Sequence, residues 1–216
     1  INSSGNIAAT SFNGIPFFSD ATNGSMYTHD VSGTDDTAQK NSAYGFNAMD
    51  AITTGDKNVA IGYEAGTAIN TGVQNTALGA RTLQANTTGA DNVAIGYQAL
   101  FTNVDGSRSI AIGTNALLAQ EPASATEMYN VAIGHNAGAA VTTGVENVII
   151  GGLAGDALTT GARNVAIGYE ALTTEDAHGR NVAIGRYALR NQNAGANALN
   201  VAVGYNAGQL VTTGTL

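Results

Sequence analysis

Short apolar runs bounded by asparagine and glycine recur along most of the chain. In the clearest of them, Asn58-Val59-Ala60-Ile61-Gly62, two β-branched residues flank an alanine. β-branched residues favour extended backbone, and the asparagine and glycine on either side favour turns. A three-residue apolar run of this kind predicts a short strand, because a helix needs about ten residues on a 3.6-residue period.

The run returns at a nearly constant interval. Its last residue, which we call the repeat glycine, stands at positions 45, 62, 79, 96, 113, 134, 151, 168, 185 and 204. Most intervals are 17 residues long, and the two exceptions are 21 and 19 residues. A strand, a turn, a second short strand and a second turn fit into one such unit, which predicts a coil of a parallel β-solenoid. With coils about 4.8 Å apart, ten of them make a rod roughly 48 Å long.

Both faces of the predicted strand are apolar. Because side chains alternate along a strand, Val59 and Ile61 lie on one face and Ala60 on the other. We predict that one face fills the thin interior of the coil and that the alanine face packs against neighbouring copies in a homotrimer. The alanines assigned to this trimer interface and core are Ala60, Ala77, Ala94, Ala111, Ala132, Ala166, Ala183 and Ala202.

An asparagine opens nine of the ten runs. Asparagine tolerates left-handed backbone, and its amide can bond the backbone at a corner or stack on the asparagine of the next coil. We therefore favour a structural role for these asparagines. A ladder of ligand-binding amides is the alternative.

Composition and charge exclude several classes of partner. The net charge of −8 repels phosphate backbones, so no nucleic-acid partner is expected. The absence of cysteine excludes disulfides and thiolate metal sites, and we expect no cofactor and no metal. No unbroken apolar stretch reaches about 18 residues, so this chain is not expected to insert into a membrane.

The three histidines, His29, His135 and His178, stand at unrelated positions of the repeat, and no serine or carboxylate recurs beside them. A general base needs a partner within hydrogen-bond reach, so we predict that the protein is not an enzyme and has no catalytic residues. An ice-binding solenoid would carry a flat threonine ladder at one strand position. Here threonines lie in the turns of about half the coils, which makes ice binding the least favoured alternative.

With these residues laid out, the sequence resembles the YadA-like head of trimeric autotransporter adhesins. Residues 58–62 and their copies match the short Asn/Ser-Val-Ala-Ile-Gly repeat of that family, and the longer unit, such as residues 87–100, resembles repeats of phage tail fibres and mosaic bacterial surface fibres. The resemblance covers residues 41–216. It implies an all-β fold, a left-handed parallel β-roll of about ten 17-residue coils assembled as a homotrimer, and a role in surface attachment.

The first 40 residues do not repeat, and we assign residues 1–40 to a connector or N-terminal cap. Its aromatic residues Phe12, Phe17, Phe18 and Tyr27 are expected to cover the first coil, which would otherwise expose a sheet edge. Residues 41–216 form the repeat array. Because residue 214 is the glycine of another turn, we expect the array to continue beyond residue 216.

Two places in the repeat are candidates for ligand binding. The residue after the repeat glycine is predicted to lie at an exposed corner and is often aromatic or basic, and the extra length of the 21-residue interval falls in residues 119–129. Covering of the turn by these rings and a tolerated insertion are the simpler interpretations. The candidate ligand-binding residues are Tyr63, Tyr97, Tyr129, His135, Tyr169, Arg186 and Tyr205.

These observations favour a non-enzymatic head module of a trimeric fibre or adhesin that contributes to attachment to a host or prey cell. The expected partners are two further copies of the chain and a cell-surface glycan or protein receptor. The expected location is the cell surface, the extracellular space or a virion tail fibre. A purely structural spacer of such a fibre is the main alternative.

Overall fold

The structure, a computed structural model, describes residues 11–12, 15–16, 18–20, 25–28 and 37–214. Within these residues the chain forms strands and turns and no helix. The strands are β1 Ser11–Phe12, β2 Ile15–Pro16, β3 Phe18–Asp20, β4 Ser25–Tyr27, β5 Ser42–Tyr44, β6 Val59–Ile61, β7 Thr76–Leu78, β8 Val93–Ile95, β9 Gly106–Ser107, β10 Ile110–Ile112, β11 Thr126–Glu127, β12 Val131–Ile133, β13 Val148–Ile150, β14 Val165–Ile167, β15 Val182–Ile184 and β16 Val201–Val203.

One twelve-stranded sheet runs along the molecule. It contains β3 to β8, β10 and β12 to β16, and its neighbours are parallel except for β3 and β4. Each strand pairs in register with the strand of the next coil, so that Ala94 lies opposite Ala77 on one side and Ala111 on the other. The chain is therefore a parallel β-solenoid of about ten turns, and this part of the prediction is confirmed.

The second half of each coil differs from the prediction. Apart from β9 and β11, which pair with each other, the described residues there run as turns and not as a second strand. The reason is left-handed backbone two and four residues after the repeat glycine, as at Glu64 (φ 53°) and Leu83 (φ 46°). Neighbouring turns are still bonded, because the Leu83 N–H donates to the Ala99 carbonyl at 3.1 Å.

The repeat glycine is required by the close stacking of successive coils. Gly62 has a φ of 137°, and a Cβ built on it would lie 2.6 Å from the carbonyl carbon of Gly79. Any side chain there would force neighbouring backbones apart. This explains why glycine follows each of the ten repeated strands.

The alanine of each strand points into the core of its own coil. Ala60, Ala94 and Ala166 have no exposed surface in the single chain. The prediction that the alanine face meets neighbouring chains is therefore wrong, because the interior of the coil is thin and these small side chains fill the space between the strand and the opposite turn. The remaining alanines of that set, which are also buried, are Ala77, Ala111, Ala132, Ala183 and Ala202.

Two positions of the repeat share the filling of this core, four and seven residues after the repeat glycine. Where the first is leucine, the second is a buried amide or acid, as in the pairs Leu83/Asn86, Leu100/Asn103, Leu117/Gln120, Leu172/Glu175 and Leu189/Gln192. Where the first is glycine, the second is aliphatic, as in the pairs Gly66/Ile69, Gly138/Val141, Gly155/Leu158 and Gly208/Val211. A Cβ on Gly66 would lie only 2.6 Å from the Ile69 Cδ1, so each of these coils holds one large apolar side chain.

The asparagines before the strands form a buried ladder. The Asn58 Oδ1 accepts the Asn75 N–H at 2.9 Å, and the Asn58 Nδ2 donates to the Gly72 carbonyl at 2.8 Å. Ser109 interrupts the ladder, and there the Gln120 Oε1 accepts the Asn130 Nδ2 at 3.0 Å and the Ser109 Oγ at 3.2 Å. These bonds satisfy buried backbone groups at the corner, which confirms the structural interpretation of the asparagines.

At the N-terminal side, β4 pairs with β5 in parallel and β3 pairs with β4. The first full coil therefore does not present a free sheet edge there. Of the aromatic residues expected to cover it, Tyr27 is buried in the main core. Phe12 and Phe18 lie in β1 and β3, whereas Phe17 and the expected continuation past residue 216 lie outside the described residues.

Candidate functional site

The residues that follow the repeat glycines form a line along one edge of the sheet, which we call the ridge. Because the backbone turns sharply at the glycine, the next side chain projects away from the core. The exposed fractions of Tyr63, Tyr97 and Tyr169 are 47%, 47% and 43%. The ridge comprises Phe46, Tyr63, Ala80, Tyr97, Thr114, His135, Gly152, Tyr169, Arg186 and Tyr205.

A neutralised arginine lies beside the N-terminal part of the ridge. The rings of Phe46 and Tyr63 stack with centroids 6.1 Å apart, and the Arg81 guanidinium lies 5.9 Å from the centroid of the Tyr63 ring. The Arg81 Nε lies 3.1 Å from the Glu64 Oε2, which also accepts the Gln84 Nε2 at 2.7 Å. A hydrogen bond to Glu64 and the charge of that carboxylate raise the pKa of Tyr63.

The C-terminal part of the ridge brings three candidate residues together on successive coils. Tyr169, Arg186 and Tyr205 surround Tyr187, whose ring centroid lies 5.8 Å from that of Tyr169 and 6.4 Å from that of Tyr205. The Arg186 guanidinium lies 4.5 Å from the Tyr187 centroid and 5.6 Å from the Tyr169 centroid. We call these four residues the C-terminal cluster.

A second arginine supports the C-terminal cluster from one side. The Arg190 guanidinium lies 4.9 Å from the Tyr187 centroid, and its Nη2 lies 2.6 Å from the Glu170 Oε2. A hydrogen bond to Glu170 and the charge of that carboxylate raise the pKa of Tyr169. Glu170 therefore neutralises Arg190.

The other candidates do not join this cluster. His135 lies on the ridge between Thr114 and Gly152, and Tyr97 lies between Ala80 and Thr114, so neither has an aromatic neighbour on the ridge. Each is a single exposed side chain in the arrangement that the structure describes.

Tyr129 lies at a different corner, because it precedes its strand and the ridge follows the strands. The Arg108 Nη1 donates to the Tyr129 hydroxyl at 2.7 Å, and that hydroxyl donates to the Glu127 Oε2 at 2.7 Å. The hydrogen bond to Tyr129 and the charge of Glu127 raise the pKa of Arg108. Tyr129 thus fastens the insertion of residues 119–129 to the preceding coil.

The first and third residues of the strands point outward and form a second surface, which we call the outer strand face. It is apolar along nearly its whole length and partly exposed, with Ile61 at 41% and Leu78 at 42%. From β6 to β16 it consists of Val59, Ile61, Thr76, Leu78, Val93, Ile95, Ile110, Ile112, Val131, Ile133, Val148, Ile150, Val165, Ile167, Val182, Ile184, Val201 and Val203.

One group of side chains has the composition of a metal site. Glu175, Asp176 and His178 place ligand atoms within 4.8 Å of one another. Glu175 is completely buried, and its carboxylate accepts the His178 N–H at 3.2 Å, the Gln192 Nε2 at 3.2 Å and the Ala194 N–H at 3.3 Å. The His178 Nδ1 also lies 3.4 Å from this carboxylate. With four contacts to described residues, the Glu175 carboxylate has a structural role.

Sequence reasoning did not find Tyr187, Arg190 or Glu170. Tyr187 and Arg190 each occur once at their position in the coil, and glutamate occurs there only twice, at Glu64 and Glu170, so the period gives little signal for them. The spacing of 17 residues does link Glu64 to Arg81, which form an ion pair across adjacent coils. A search for opposite charges at this spacing would have found the neutralised arginine.

Comparison with family models, curated proteins and solved structures gives no match for this chain. None of the described residues belongs to a helix with the length and apolar character needed to cross a bilayer. The ridge and the outer strand face are therefore the two surfaces that bear on function.

Proposed function

We propose that the chain is a non-enzymatic module of a homotrimeric fibre that contributes to attachment to a host or prey cell surface. The observation that carries the proposal is the apolar outer strand face, which runs along the solenoid for about ten coils. An antiparallel or parallel sheet face that meets water normally carries polar side chains. This face does not, and it needs a partner.

The partner is a second and a third copy of the same chain. Strands about 10 Å long stacked over about 48 Å give a stripe of roughly 500 Å², at the upper end of the apolar patches found on monomers. Identical rods placed side by side bring the same coil of each copy to the same height. Closed rotational symmetry then buries the outer strand face of every copy around a common axis. Three copies and a left-handed winding are the arrangement that the resemblance to YadA-like heads implies.

Attachment follows from the ridge. A rigid rod that buries its outer strand face keeps another edge free for contact, and the ridge presents aromatic and basic side chains of the kind enriched in binding surfaces. Because three copies present the same ridge, binding of one copy raises the effective concentration of the ligand at the other two, and the overall binding is stronger than that of one copy. The expected setting is a bacterial surface fibre or a virion tail fibre.

The oligomeric state tests the first part of the proposal. We expect sedimentation equilibrium to give three times the chain mass of 21.7 kDa. The variant Ile95→Asp/Ile167→Asp, which places two charges on the outer strand face, should sediment as a folded monomer. The matched variant Thr71→Asp, in an exposed turn, should stay trimeric, and a parent protein that is a stable monomer would contradict the proposal.

Cell binding tests the second part. Fluorescently labelled trimer should bind at least some members of a panel of bacterial cells in flow cytometry, and unlabelled trimer should compete. A trimer that binds no cell in the panel would contradict attachment and favour the structural spacer.

A further inference from the structure

Arg186 is an exposed cation without an acidic partner. The ion pairs of the described residues engage Arg81, Arg108, Arg163 and Arg190, and none of them includes Arg186. Among the described residues its side chain makes one hydrogen bond, from Nη2 to the Tyr187 hydroxyl at 2.8 Å. In a protein with a net charge of −8, an uncommitted guanidinium on a binding ridge is a candidate for recognition of an anion.

Two rings flank this guanidinium, and among the described residues only its Nη2 has a hydrogen-bond partner. Arg186 lies over both Tyr169 and Tyr187, at 5.6 Å and 4.5 Å from their centroids. Contacts of this kind reduce the rotamer freedom of arginine. The Nε, the Nη1 and the second N–H of Nη2 have no partner among the described residues, so one edge still offers two parallel donors. Such an edge matches a carboxylate, which accepts two parallel bonds.

The backbone at the ridge is unavailable to an extended peptide. The Tyr187 N–H donates to the Tyr169 carbonyl at 3.0 Å, and the Asn206 N–H donates to the Arg186 carbonyl at 3.0 Å. These bonds between coils use the groups that a peptide strand would need for pairing. The ligand must instead contact exposed ring faces and the arginine edge, which suits a sugar chain whose rings present flat C–H faces.

We propose that the C-terminal cluster binds an acidic glycan, with the Arg186 guanidinium on a sugar carboxylate and the rings of Tyr187 and Tyr205 against the sugar faces. The inference rests on the proposed attachment function and names the class of its ligand. The N-terminal part of the ridge has similar rings, but Glu64 neutralises its arginine, so it lacks the anion contact.

The test uses the purified chain and two carboxylated probes, a hexameric oligogalacturonate and an α2,8-linked oligosialate, with the carboxyl-reduced hexamer as the neutral counterpart. We expect at least one acidic probe to bind in calorimetry and the reduced hexamer to bind at least about tenfold more weakly than the acid it derives from, since a charged hydrogen-bond pair is lost. Failure of both acidic probes to bind would overturn the proposal.

The variant Arg186→Gln should weaken binding of the acidic probe by about tenfold or more for the same reason. The matched variant Arg81→Gln should leave it unchanged, and unchanged circular dichroism of both variants shows that they fold. Equal losses for the two variants, or full binding by Arg186→Gln, would overturn the proposal. Light scattering on the same samples reports the trimer separately, so a monomer that binds acidic glycan contradicts the homotrimer and supports this inference.

Discussion

Ile149 fills the space that Gly138 leaves in the neighbouring coil. A Cβ built on Gly138 would lie 2.8 Å from the Ile149 Cδ1, and one built on Gly155 would lie 3.5 Å from the Ile149 Cγ2. Ile149 is the one strand centre from β5 to β16, outside β9 and β11, that is not alanine, and it stands where two successive coils have glycine in place of leucine. A large side chain at one position of the core thus compensates for a glycine at another position in a neighbouring coil.

Replacing Ile149 with alanine should open a cavity between these two glycines. We expect the free energy of unfolding to fall by about 2–5 kcal/mol, because neighbouring backbones are bonded too tightly to collapse. Denaturant unfolding followed by circular dichroism measures the change. The control variant Thr143→Ala, in an exposed turn, should change it by less than about 0.5 kcal/mol. Similar stability of the two variants would show that the core at Ile149 is not packed as described.

The asparagine ladder gives a second prediction. Asn58→Ala removes the acceptor of the buried Asn75 N–H and the donor to the Gly72 carbonyl, so the free energy of unfolding should fall by about 2–4 kcal/mol. Asn58→Ser should be similarly unstable, although Ser109 occupies the same position naturally. The difference is Gln120, which repairs the ladder beside Ser109, whereas Ile69 occupies the corresponding position near Asn58. A fully stable Asn58→Ser variant would contradict this account.

Glu121 should make stability depend on pH. Its carboxylate accepts the Val104 N–H at 2.6 Å, but burial, together with the charge of Asp105, raises its pKa above the ordinary value of 4.5. The folded chain then holds the proton of the Glu121 carboxyl group more tightly than the unfolded chain does. The stabilisation that results from this tighter proton binding is present below the ordinary pKa of the carboxyl group. It is lost as pH rises through the pKa that Glu121 has in the folded chain.

Thermal unfolding of the parent and of Glu121→Gln from pH 4 to pH 7 measures this effect. We expect the parent to lose stability relative to the variant as pH rises through this range, since glutamine keeps the shape without the charge. Parallel pH profiles for the two proteins would contradict the shift at Glu121.

The period predicted the strands and their register because a slip of one residue would exchange the two strand faces in every coil. It could not predict which face is internal. Alternation separates Ala60 from Val59 and Ile61, but the choice depends on the width of the coil, which is set by the turn that carries Gly66 and Ile69. Those two positions, taken together as one volume, would have indicated that the strand centre opposite them is internal.

The ridge was predictable for a similar reason, and its chemistry was not. A residue after a glycine corner lies outside the core in every coil and is exposed in seven of the ten, so Tyr169, Arg186 and Tyr205 follow from the repeat. Tyr187 occurs at its position once, and its contacts decide how Arg186 is held. Features that break a repeat give no periodic signal, although they carry the local specificity of the surface.

Deletion of one whole coil tests the stacking itself. Removing residues 75–91 brings β6 against β8 with Ala60 opposite Ala94, and the Asn58 Oδ1 then meets the Asn92 N–H. It also removes Asn86, whose buried amide atoms have no hydrogen-bond partner in the described structure. Because stability in a solenoid comes from contacts between neighbouring coils, we expect circular dichroism per residue to stay unchanged and unfolding to stay cooperative. Removing residues 75–83 instead should lower the β signal per residue and make unfolding less cooperative, since β6 and β8 no longer meet in register across the cut. Equal behaviour of the two deletions would contradict the assignment of coils.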